Sequence, residues 1–405
     1  MTADHVLVTG LGATTPLGGD VASTWAALLA GHSGVSAIEE DWAADLPVRI
    51  AARLKVEPTE VMDRVQARKL DRCEQIALIA ARQAWEDAGS PEVDPERLAV
   101  VIGTGSGGAL TMLGQDDILE SSGARRVSPY TVPMFMPNGS AAWVSMELGA
   151  RGGVHTPVSA CASGAEAISM ALDLIRLGRA DVVVAGGTEA FIHAMPIAGF
   201  AQARATSTRN DAPQQASRPF DADRDGFVTG EGATILVLER AEFAAARNAR
   251  AHAALAGAGI TSDAYHITAG TQEGQVRAMR KAISDAGLEA LGIGHVHAHA
   301  TSTPQGDLTE AASIAEAIGP HTAVTATKSM TGHLFGAAGA IGAMSAVLAL
   351  RDQIIPPTIN LDKLDPEVKL DVVSGQARQA SFRAALANSF GFGGHNVSLV
   401  FTTTP

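Results

Sequence analysis

The chain has 405 residues, enough for two core-bearing units, and 46% of them are hydrophobic, 4% aromatic and 18% charged. Its formal net charge of −13 argues against nucleic-acid binding, and its two cysteines cannot form a disulfide framework, which predicts a reducing, cytoplasmic location. A strand pattern rather than a secretory signal opens the chain. The longest nearly apolar run, residues 336–350, is short and glycine-rich, which indicates a buried core helix rather than a membrane span.

Short β-branched runs alternate with helical segments, beginning with HVLVTG and LAVVIGTG and continuing through DVVVAGG, ATILVLE, HVHAHA and AVTATK. This alternation predicts an α/β protein whose sheets are buried between helix layers. Both halves of the chain repeat one design of strand, small-residue helix entry, long helix and extended segment. We therefore predict two related units, residues 1–250 and 251–405, whose helix entrances meet at a central face.

A glycine-rich turn follows the second of these strands. AVVIGTGSGGAL matches G-x-G-x-x-G at Gly103, Gly105 and Gly108, the pattern of a dinucleotide-binding turn. A dinucleotide site also needs an acidic residue about 20 positions later, at the end of a second strand, and the sequence around Arg125 has neither feature. We interpret the glycines as a tight turn against a packed neighbour.

A lone cysteine stands where an apolar strand gives way to a helix. In TPVSACASGAEAISMALDLIRLG the apolar residues recur with helical spacing, and Ser163 is a plausible N-cap residue. Cys161 would then lie at the first turn, where free N–H groups and the helix dipole favour a thiolate. Small neighbours leave its sulfur reachable, which favours a nucleophile. Cys73 lies within a helical pattern and is predicted to be a buried structural cysteine.

The segment DADRDGFVTGEG imitates a calcium-binding loop, with aspartates at alternate positions from Asp221. The twelfth position of such a loop needs a bidentate glutamate, but here it is Gly232. We predict no metal site there and interpret the charges as a turn tied by Arg218 and Arg224.

Three residues suited to acyl transfer stand in the second half of the chain. His299 closes HVHAHATST, and Lys328 and His333 lie in TKSMTGHLFGAAG beside glycines that permit close approach. A neutral imidazole can donate to a developing oxyanion, and an ammonium adds fixed positive charge. In NSFGFGGHN, the glycines around Phe392 predict a tight turn whose N–H could complete an oxyanion hole. Together with Cys161 these residues predict an acyl-transfer site.

The segments VSACASGAEAI, HAHATSTPQGD, TKSMTGHLFGAAG and NSFGFGGHN follow the order and spacing of the signatures of the β-ketoacyl-acyl carrier protein synthases. The chain resembles that family over essentially its whole length. It is most similar to the class II elongating enzymes of bacterial fatty acid synthesis, especially the actinobacterial ones. The resemblance implies a thiolase-like fold, two related halves in five αβαβα layers, usually as a homodimer.

The resemblance also implies roles for the site residues. Cys161 would be the acyl-accepting nucleophile, His299 and His333 the partner histidines, and Lys328 the lysine that supports them. The N–H groups of Cys161 and Phe392 would form the oxyanion hole, and the Phe392 side chain would gate the acyl pocket.

Substrate contacts are implied in the same way. Thr301 and Thr303, and with less support Thr268, would contact the phosphopantetheine arm, which arrives on acyl carrier protein, so that no metal or organic cofactor is required. The chain departs from many relatives, which have Asn-Ala-His-Gly-Thr where this sequence has His297 and Ala300 around the catalytic histidine.

Acyl carrier proteins are acidic, so an acidic synthase needs a local basic surface to bind one. The stretch DRVQARKLDRCEQ predicts a helix with Arg64, Arg68 and Arg72 on one exposed face. We predict that Arg68, Lys69 and Arg204 help to dock the carrier. The alternative is a solvated face whose arginines pair with nearby acidic residues.

The implied activity is a decarboxylative condensation of malonyl carrier protein with an acyl group held on Cys161, which lengthens the acyl chain by two carbons. An aromatic polyketide ketosynthase would use the same residues. A degradative thiolase needs a second catalytic cysteine, for which Cys73 lies in no suitable motif. A non-catalytic chain-length partner would lack the nucleophile.

Overall fold

The computed structural model describes residues 5–404. Within that range the chain forms fifteen strands: β1 (Val6–Thr14), β2 (Val35–Ala37), β3 (Ile50–Ala52), β4 (Leu98–Gly103), β5 (Val154–His155), β6 (Val182–Glu189), β7 (Gly232–Arg240), β8 (Ala253–Ser262), β9 (His295–His297), β10 (Ala323–Thr325), β11 (Ile354–Ile355), β12 (Asp371–Val372), β13 (Arg378–Gln379), β14 (Ala384–Gly391) and β15 (His395–Thr402). The same residues form fourteen α-helices: α1 (Val21–Ala30), α2 (Pro58–Val61), α3 (Arg64–Ala67), α4 (Arg72–Asp87), α5 (Ala109–Ser122), α6 (Thr131–Phe135), α7 (Gly139–Leu148), α8 (Ser163–Arg176), α9 (Ala194–Gln202), α10 (Ala241–Ala246), α11 (Gln272–Asp285), α12 (Pro304–Ala317), α13 (Lys328–Thr331) and α14 (Ala338–Asp352).

One long sheet contains two copies of the same strand arrangement. Outward from β1 the order is β7, β6, β4, β5, and outward from β8 it is β15, β14, β9, β10, with β12 beyond. In both directions the first two pairings are antiparallel and the next two are parallel. This repeat supports two related units. The division at residue 250, which falls between α10 and β8, stays a prediction.

The strands are buried on both faces, and alternate side chains serve different helix layers. In β4, Leu98, Val100 and Ile102 pack in a core with α4 and α7. Ala99 and Val101, between them, pack in another core with α8 and α14. A strand covered on both sides needs apolar residues at every position, which explains the unbroken β-branched runs.

Helices α8 and α14 form the middle layer, because they contact each other and strands of both copies. Helices α4 and α7 cover the first copy from outside, and α11 and α12 cover the second. The result is five αβαβα layers. The two β layers belong to one continuous sheet, because Val6–Val8 of β1 pairs with Ala253–Leu255 of β8.

The apolar run at the end of the second half is a core helix. The helical stretch Phe335–Asp352 has the length and composition of a membrane span, but 89% of it is buried inside the protein. Its residues pack against strands of both copies. The interpretation as a buried core helix is confirmed.

The glycine turn after β4 is a packed turn, as predicted. A Cβ on Gly103 would lie 2.2 Å from the carbonyl oxygen of Ser163, and one on Gly108 would lie 1.8 Å from that of Met134. The N–H of Gly105 donates to the carboxylate of Glu189 at 2.7 Å. These neighbours fill the space that a dinucleotide would need.

The aspartate-rich loop is tied by the two predicted arginines. The carboxylate of Asp221 accepts from Arg218 Nε at 2.9 Å, and Arg224 Nη1 donates to the Asp221 carbonyl oxygen at 2.7 Å. Within residues 5–404, no cluster of three or more His, Cys, Asp or Glu side chains has metal-binding geometry.

Candidate active site

Cys161 lies in a short 3₁₀ turn immediately before α8. The prediction that Ser163 is the N-cap residue is wrong, because α8 already begins at Ser163. The Ser163 hydroxyl donates to the carbonyl oxygen of Ala160 at 2.7 Å and accepts from the N–H of Ser159 at 2.9 Å. Ala160 has a φ of +52°, a strained value for a residue with a side chain. The turn is thus fixed from within, and it holds the sulfur just outside the helix.

His333 is the nearest polar neighbour of that sulfur. Its Nε2 lies 3.0 Å from Cys161 Sγ. The N–H of His333 donates to the Val228 carbonyl oxygen at 2.7 Å, which anchors this second-half residue to the first half. The N–H of Phe335 approaches Nδ1 at 3.4 Å, which favours the tautomer whose proton is on Nε2.

Lys328 and His299 complete the cluster. The ammonium of Lys328 donates to the His299 carbonyl oxygen and lies 3.4 Å from its Nδ1. Because an ammonium only donates, the Nδ1 of His299 must accept, and its proton is on Nε2. The two histidine rings meet edge to face with centroids 5.5 Å apart. The structure therefore brings together the four residues predicted from the sequence.

Burial sets the protonation of the cluster. It raises the pKa of the Cys161 thiol to about 12, although the charge of Lys328 acts in the opposite direction. Burial and the Lys328 charge hold the pKa of both His299 and His333 well below the usual range. Burial also lowers the pKa of Lys328 to about 8. At pH 7 these shifts favour a thiol, two neutral imidazoles and an ammonium, whereas the helix N-terminus favours the thiolate that the sequence predicts.

Two buried acidic residues behind the histidines were missed by the sequence reasoning. Glu310 accepts from the N–H of His299 at 2.7 Å and from Asn388 Nδ2 at 3.1 Å. Asp307, one turn earlier on α12, accepts from the N–H of Ser302 at 3.0 Å and that of Phe220 at 2.9 Å. Their i, i+3 spacing on a helix that directly follows the histidine segment was the available signal.

The turn between β14 and β15 lies against the cysteine. A Cβ on Gly391 would lie 2.3 Å from the Ser159 carbonyl oxygen, so only glycine permits this approach. Ser389 Oγ donates to the Cys161 carbonyl oxygen at 2.8 Å. Hydrogen bonding from the backbone N–H groups of Phe392 and Cys161 lowers the pKa of the Cys161 thiol, against the larger effect of burial. The Phe392 side chain is 42% exposed.

An aromatic cluster forms an apolar wall beside the sulfur, and the sequence reasoning did not identify it. Phe191, Phe227 and Phe335 are buried and pack with Phe200 and Cys161. The Phe335 ring also stacks on His333, with centroids 4.6 Å apart. Few aromatic residues occur in this chain, so their concentration here indicates an apolar binding surface.

The carboxylate of Glu189 joins the two halves beneath the site. It accepts from the N–H of Gly105 at 2.7 Å in the first half and from that of Gly336 at 3.0 Å in the second. Ser106 Oγ donates to the same carboxylate at 2.5 Å. Because Gly336 lies three residues after His333, this link ties the histidine segment to the first half.

The three predicted pantetheine-binding threonines occupy two loops. Thr301 and Thr303 follow β9, and their hydroxyls lie 3.0 Å apart. Thr268 is exposed, and its hydroxyl lies 3.3 Å from His266 Nδ1. The loop that holds Thr268 contacts the Phe392 turn, since the N–H of Gly393 donates to the carbonyl oxygen of Ile267 at 2.6 Å.

The helix predicted over residues 64–72 is wrong, because α3 ends at Ala67 and α4 begins at Arg72. Arg72 turns inward, with Nε 2.7 Å from Glu231 and Nη1 2.7 Å from Glu57. Three arginines therefore do not share an exposed face. Arg68, Lys69 and Arg204 are exposed, and within residues 5–404 none of them forms an ion pair.

Cys73 is a buried structural cysteine, as predicted. It is 1% exposed, and Ser140 Oγ approaches its sulfur at 3.8 Å. Burial and neighbouring carboxylates raise its pKa well above the usual range.

Comparison with known proteins agrees with this geometry. The Beta-ketoacyl synthase N-terminal domain matches residues 3–244, and the Beta-ketoacyl synthase C-terminal domain matches residues 252–362. The chain belongs to the β-ketoacyl synthase family. This synthase is 49% identical over 403 residues to 3-oxoacyl-(acyl-carrier-protein) synthase 2 of Mycobacterium tuberculosis, with 98% of this chain and 97% of the relative covered. It is 45% identical over 405 residues to the protein of that name from Synechocystis sp., with the same coverage.

Solved structures place the synthase in the thiolase-like fold that the sequence predicted. It superimposes on the ishigamide ketosynthase/chain length factor with a TM-score of 0.93 at 33% identity, over 100% of both chains. A β-ketoacyl synthase from Burkholderia phymatum gives a TM-score of 0.92 at 36% identity, over 99% of this chain and 100% of that one. The type II polyketide ketosynthase complex AntDE:AntF, which includes an acyl carrier protein, gives 0.89 at 30% identity over 100% of both chains.

Proposed function

We propose that the protein is an elongating 3-oxoacyl-(acyl-carrier-protein) synthase, which condenses malonyl carrier protein with an acyl group held on Cys161. The observation that carries this proposal is the 3.0 Å approach of His333 Nε2 to Cys161 Sγ. The second histidine meets His333 edge to face, and the lysine that donates to its carbonyl oxygen completes the set. The names of the curated relatives support the same reaction.

The first half-reaction transfers the acyl group. Cys161 sulfur attacks the thioester carbonyl, and the N–H groups of Cys161 and Phe392 stabilise the oxygen of the tetrahedral intermediate. The C–S bond to the carrier then breaks, and the proton of the Cys161 thiol ends on the departing pantetheine sulfur. The Nε2–H of His333 and the Lys328 ammonium stabilise the negative charge that builds on Cys161 sulfur as its proton leaves. The aromatic wall receives the acyl chain.

The second half-reaction forms the new carbon–carbon bond. Malonyl carrier protein loses CO₂, and the electron pair of the broken bond forms an enolate. The Nε2–H groups of His299 and His333 donate to the enolate oxygen. The enolate carbon attacks the acyl–Cys161 carbonyl, and the C–S bond breaks to regenerate the cysteine, which takes up a proton. Neutral histidines suit this step, since an imidazolium would stabilise the carboxylate that must be lost.

These steps balance without a metal ion or an organic cofactor, so we propose that neither is needed. The phosphopantetheine arm would pass between Thr301 and Thr303 on one side and the Thr268 loop on the other. Support for this path comes from the 2.6 Å bond between Gly393 and Ile267, which joins that loop to the Phe392 turn.

Product analysis with purified malonyl carrier protein and acyl donors of graded length tests the proposal. A single two-carbon extension per acyl donor is expected of a fatty acid enzyme. Repeated extension without reduction would instead support a polyketide ketosynthase, which the similarity to the AntDE:AntF structure favours as the second candidate. Thiolytic cleavage of 3-oxoacyl thioesters would indicate a thiolase, and an inactive protein would indicate a chain-length partner.

We propose that Arg68, Lys69 and Arg204 dock the carrier, supported by their exposure and by the absence of ion pairs to them within residues 5–404. Arg204 adjoins Ala205, which packs with the aromatic wall beside Cys161. Reversing the three to Glu should raise the KM for carrier-bound substrates, whereas turnover of a small acyl-pantetheine thioester should not change. Arg179→Glu is the control, since Arg179 is exposed beyond the far end of α8. Equal damage to both substrates would place docking elsewhere.

We further propose a homodimer in the cytoplasm. Helices α5, α6 and α7 expose large apolar side chains, including Met112, Val132 and Met146 at 52%, 62% and 62%. Helix α7 contacts β5, the strand at the edge of the sheet, where a second copy could add its own edge. Two free cysteines support a reducing compartment. A monomeric mass by light scattering at micromolar concentration would contradict the dimer.

A further inference from the structure

His297 is a buried histidine, 1% exposed, that has no role in the proposed reaction. It lies at the end of β9, two residues before His299. Its Nε2 lies 2.8 Å from Oγ1 of Thr327, which is fully buried and directly precedes Lys328. A buried side chain outside the proposed reaction therefore contacts the segment that holds the lysine.

The bond spans the point at which two neighbouring strands diverge. Strands β9 and β10 are parallel, and His297 pairs with Thr325. One further backbone bond follows, from the N–H of Ala298 to the Thr325 carbonyl oxygen at 2.8 Å. Beyond this bond, the segment after β9 leads to His299 and the segment after β10 leads to Lys328. The His297–Thr327 bond is thus the last connection before the ammonium of Lys328 reaches the His299 carbonyl oxygen.

The other face of the ring fixes its orientation. Nδ1 has no hydrogen-bond partner within residues 5–404, and a Cβ on Gly342 would lie 2.9 Å from it. The tautomer with its proton on Nε2 leaves only a lone pair unpaired, so Nε2 donates to Thr327. Because Gly342 on α14 has no side chain, the His297 ring can pack directly against that helix.

We propose that His297 is a positioning residue that acts through Thr327 to set where the Lys328 ammonium meets His299. The kinetic test of this inference rests on the proposed function, because in that mechanism Lys328 keeps the His299 proton on Nε2. A shift of Lys328 would weaken that donor and move positive charge away from Cys161. Both effects can be measured separately.

Two matched substitutions separate the hydrogen bond from simple packing. In His297→Gln the amide nitrogen is three bonds from Cβ, as Nε2 is in histidine, so it can still donate to Thr327. In His297→Met the side chain has similar length but no donor. His295→Met is the control, since His295 is equally buried on the same strand but bonds instead to the Ala323 carbonyl oxygen at 3.0 Å.

The first measurement is CO₂ release from malonyl carrier protein. We expect His297→Met to lower its rate about tenfold, the effect of one hydrogen bond of about 1.4 kcal/mol, with KM unchanged. His297→Gln and His295→Met should stay within about threefold of the unaltered protein. Should His297→Met fail to fold, Thr327→Val removes the same bond from the other side and should give the same loss.

The second measurement is alkylation of Cys161 by iodoacetamide, followed by mass spectrometry with buried Cys73 as the internal reference. His297→Met should slow alkylation at least about threefold, because the charge that favours the thiolate has moved, and His297→Gln should not. Equal losses in the Gln and Met variants, no loss in either, or an equal loss in His295→Met would overturn the inference. An unaltered protein that alkylates normally but releases no CO₂ contradicts the proposed function alone, and alkylation still decides the role of His297.

Discussion

Replacing Lys328 with methionine should lower the rate of decarboxylation about a hundredfold or more without destabilising the protein. Lys328 is 4% exposed, and burial lowers its pKa from 10.5 to about 8. At about 1.4 kcal/mol per pKa unit, the folded chain spends roughly 3 kcal/mol to keep this ammonium charged. Methionine has a similar volume and no charge, so the free energy of unfolding at pH 7 should stay level or rise by up to about 3 kcal/mol.

Catalysis should fall sharply in the same variant. Without the ammonium, nothing holds the His299 proton on Nε2, and the enolate loses one of its two donors. Loss of one such donor typically lowers the rate about a hundredfold or more. CO₂ release from malonyl carrier protein and thermal unfolding, measured on the same preparation, report the two effects. Lys55→Met, at an exposed position, is the control and should change neither.

The pH dependence of stability gives a further check. Between about pH 8 and pH 10.5 the unfolded chain holds a proton on Lys328 that the folded chain has released. The contribution of this group to stability must therefore rise with pH across that window, and the rise should be missing in Lys328→Met. A methionine variant that loses several kcal/mol of stability yet decarboxylates normally per folded molecule would show that Lys328 is only a structural cation.

Three further predictions concern other residues. Cys161→Ala should abolish acyl transfer with little change in thermal stability, and iodoacetamide should label Cys161 far faster than buried Cys73; equal labelling would refute the nucleophile. His333→Ala should lower malonyl decarboxylation about a hundredfold and acylation of Cys161 less, whereas unchanged CO₂ release would remove His333 from the mechanism. Burial raises the pKa of Glu74 to about 8, so its contribution to stability falls as pH rises from 4.5 to 8. Glu74→Gln should remove that slope and raise the melting temperature most at pH 8; an unchanged slope would contradict the raised pKa.

Much of the fold follows from local sequence, because strands buried on both faces require apolar residues at every position. The four central site residues could also be found, since His299 and Lys328 closely follow strands β9 and β10, and Cys161 and His333 stand among small residues. The break before α4 was readable too: Asp71 and Glu74 form a capping box, so a new helix starts there. Buried Leu70 between the two helices turns the chain inward.

The burial of individual polar side chains could not be predicted from the sequence. Glu310 and Asp307 lie on a helix, where acidic residues usually face water, and only the packing of α12 under the histidine segment makes them internal. The same limit applies to the thiolate predicted at Cys161. A helix N-terminus lowers a thiol pKa, but the loss of water around the sulfur is a tertiary property, and here it is the larger effect.

The shared middle layer has a consequence for how such a protein can evolve. Helices α8 and α14 each complete the core of the other copy, so either copy alone would expose a wide apolar face to water. The two copies are therefore expected to be stable only together. Each copy can then lack chemistry that the other supplies, because the nucleophile lies in the first copy and the histidines and the lysine lie in the second.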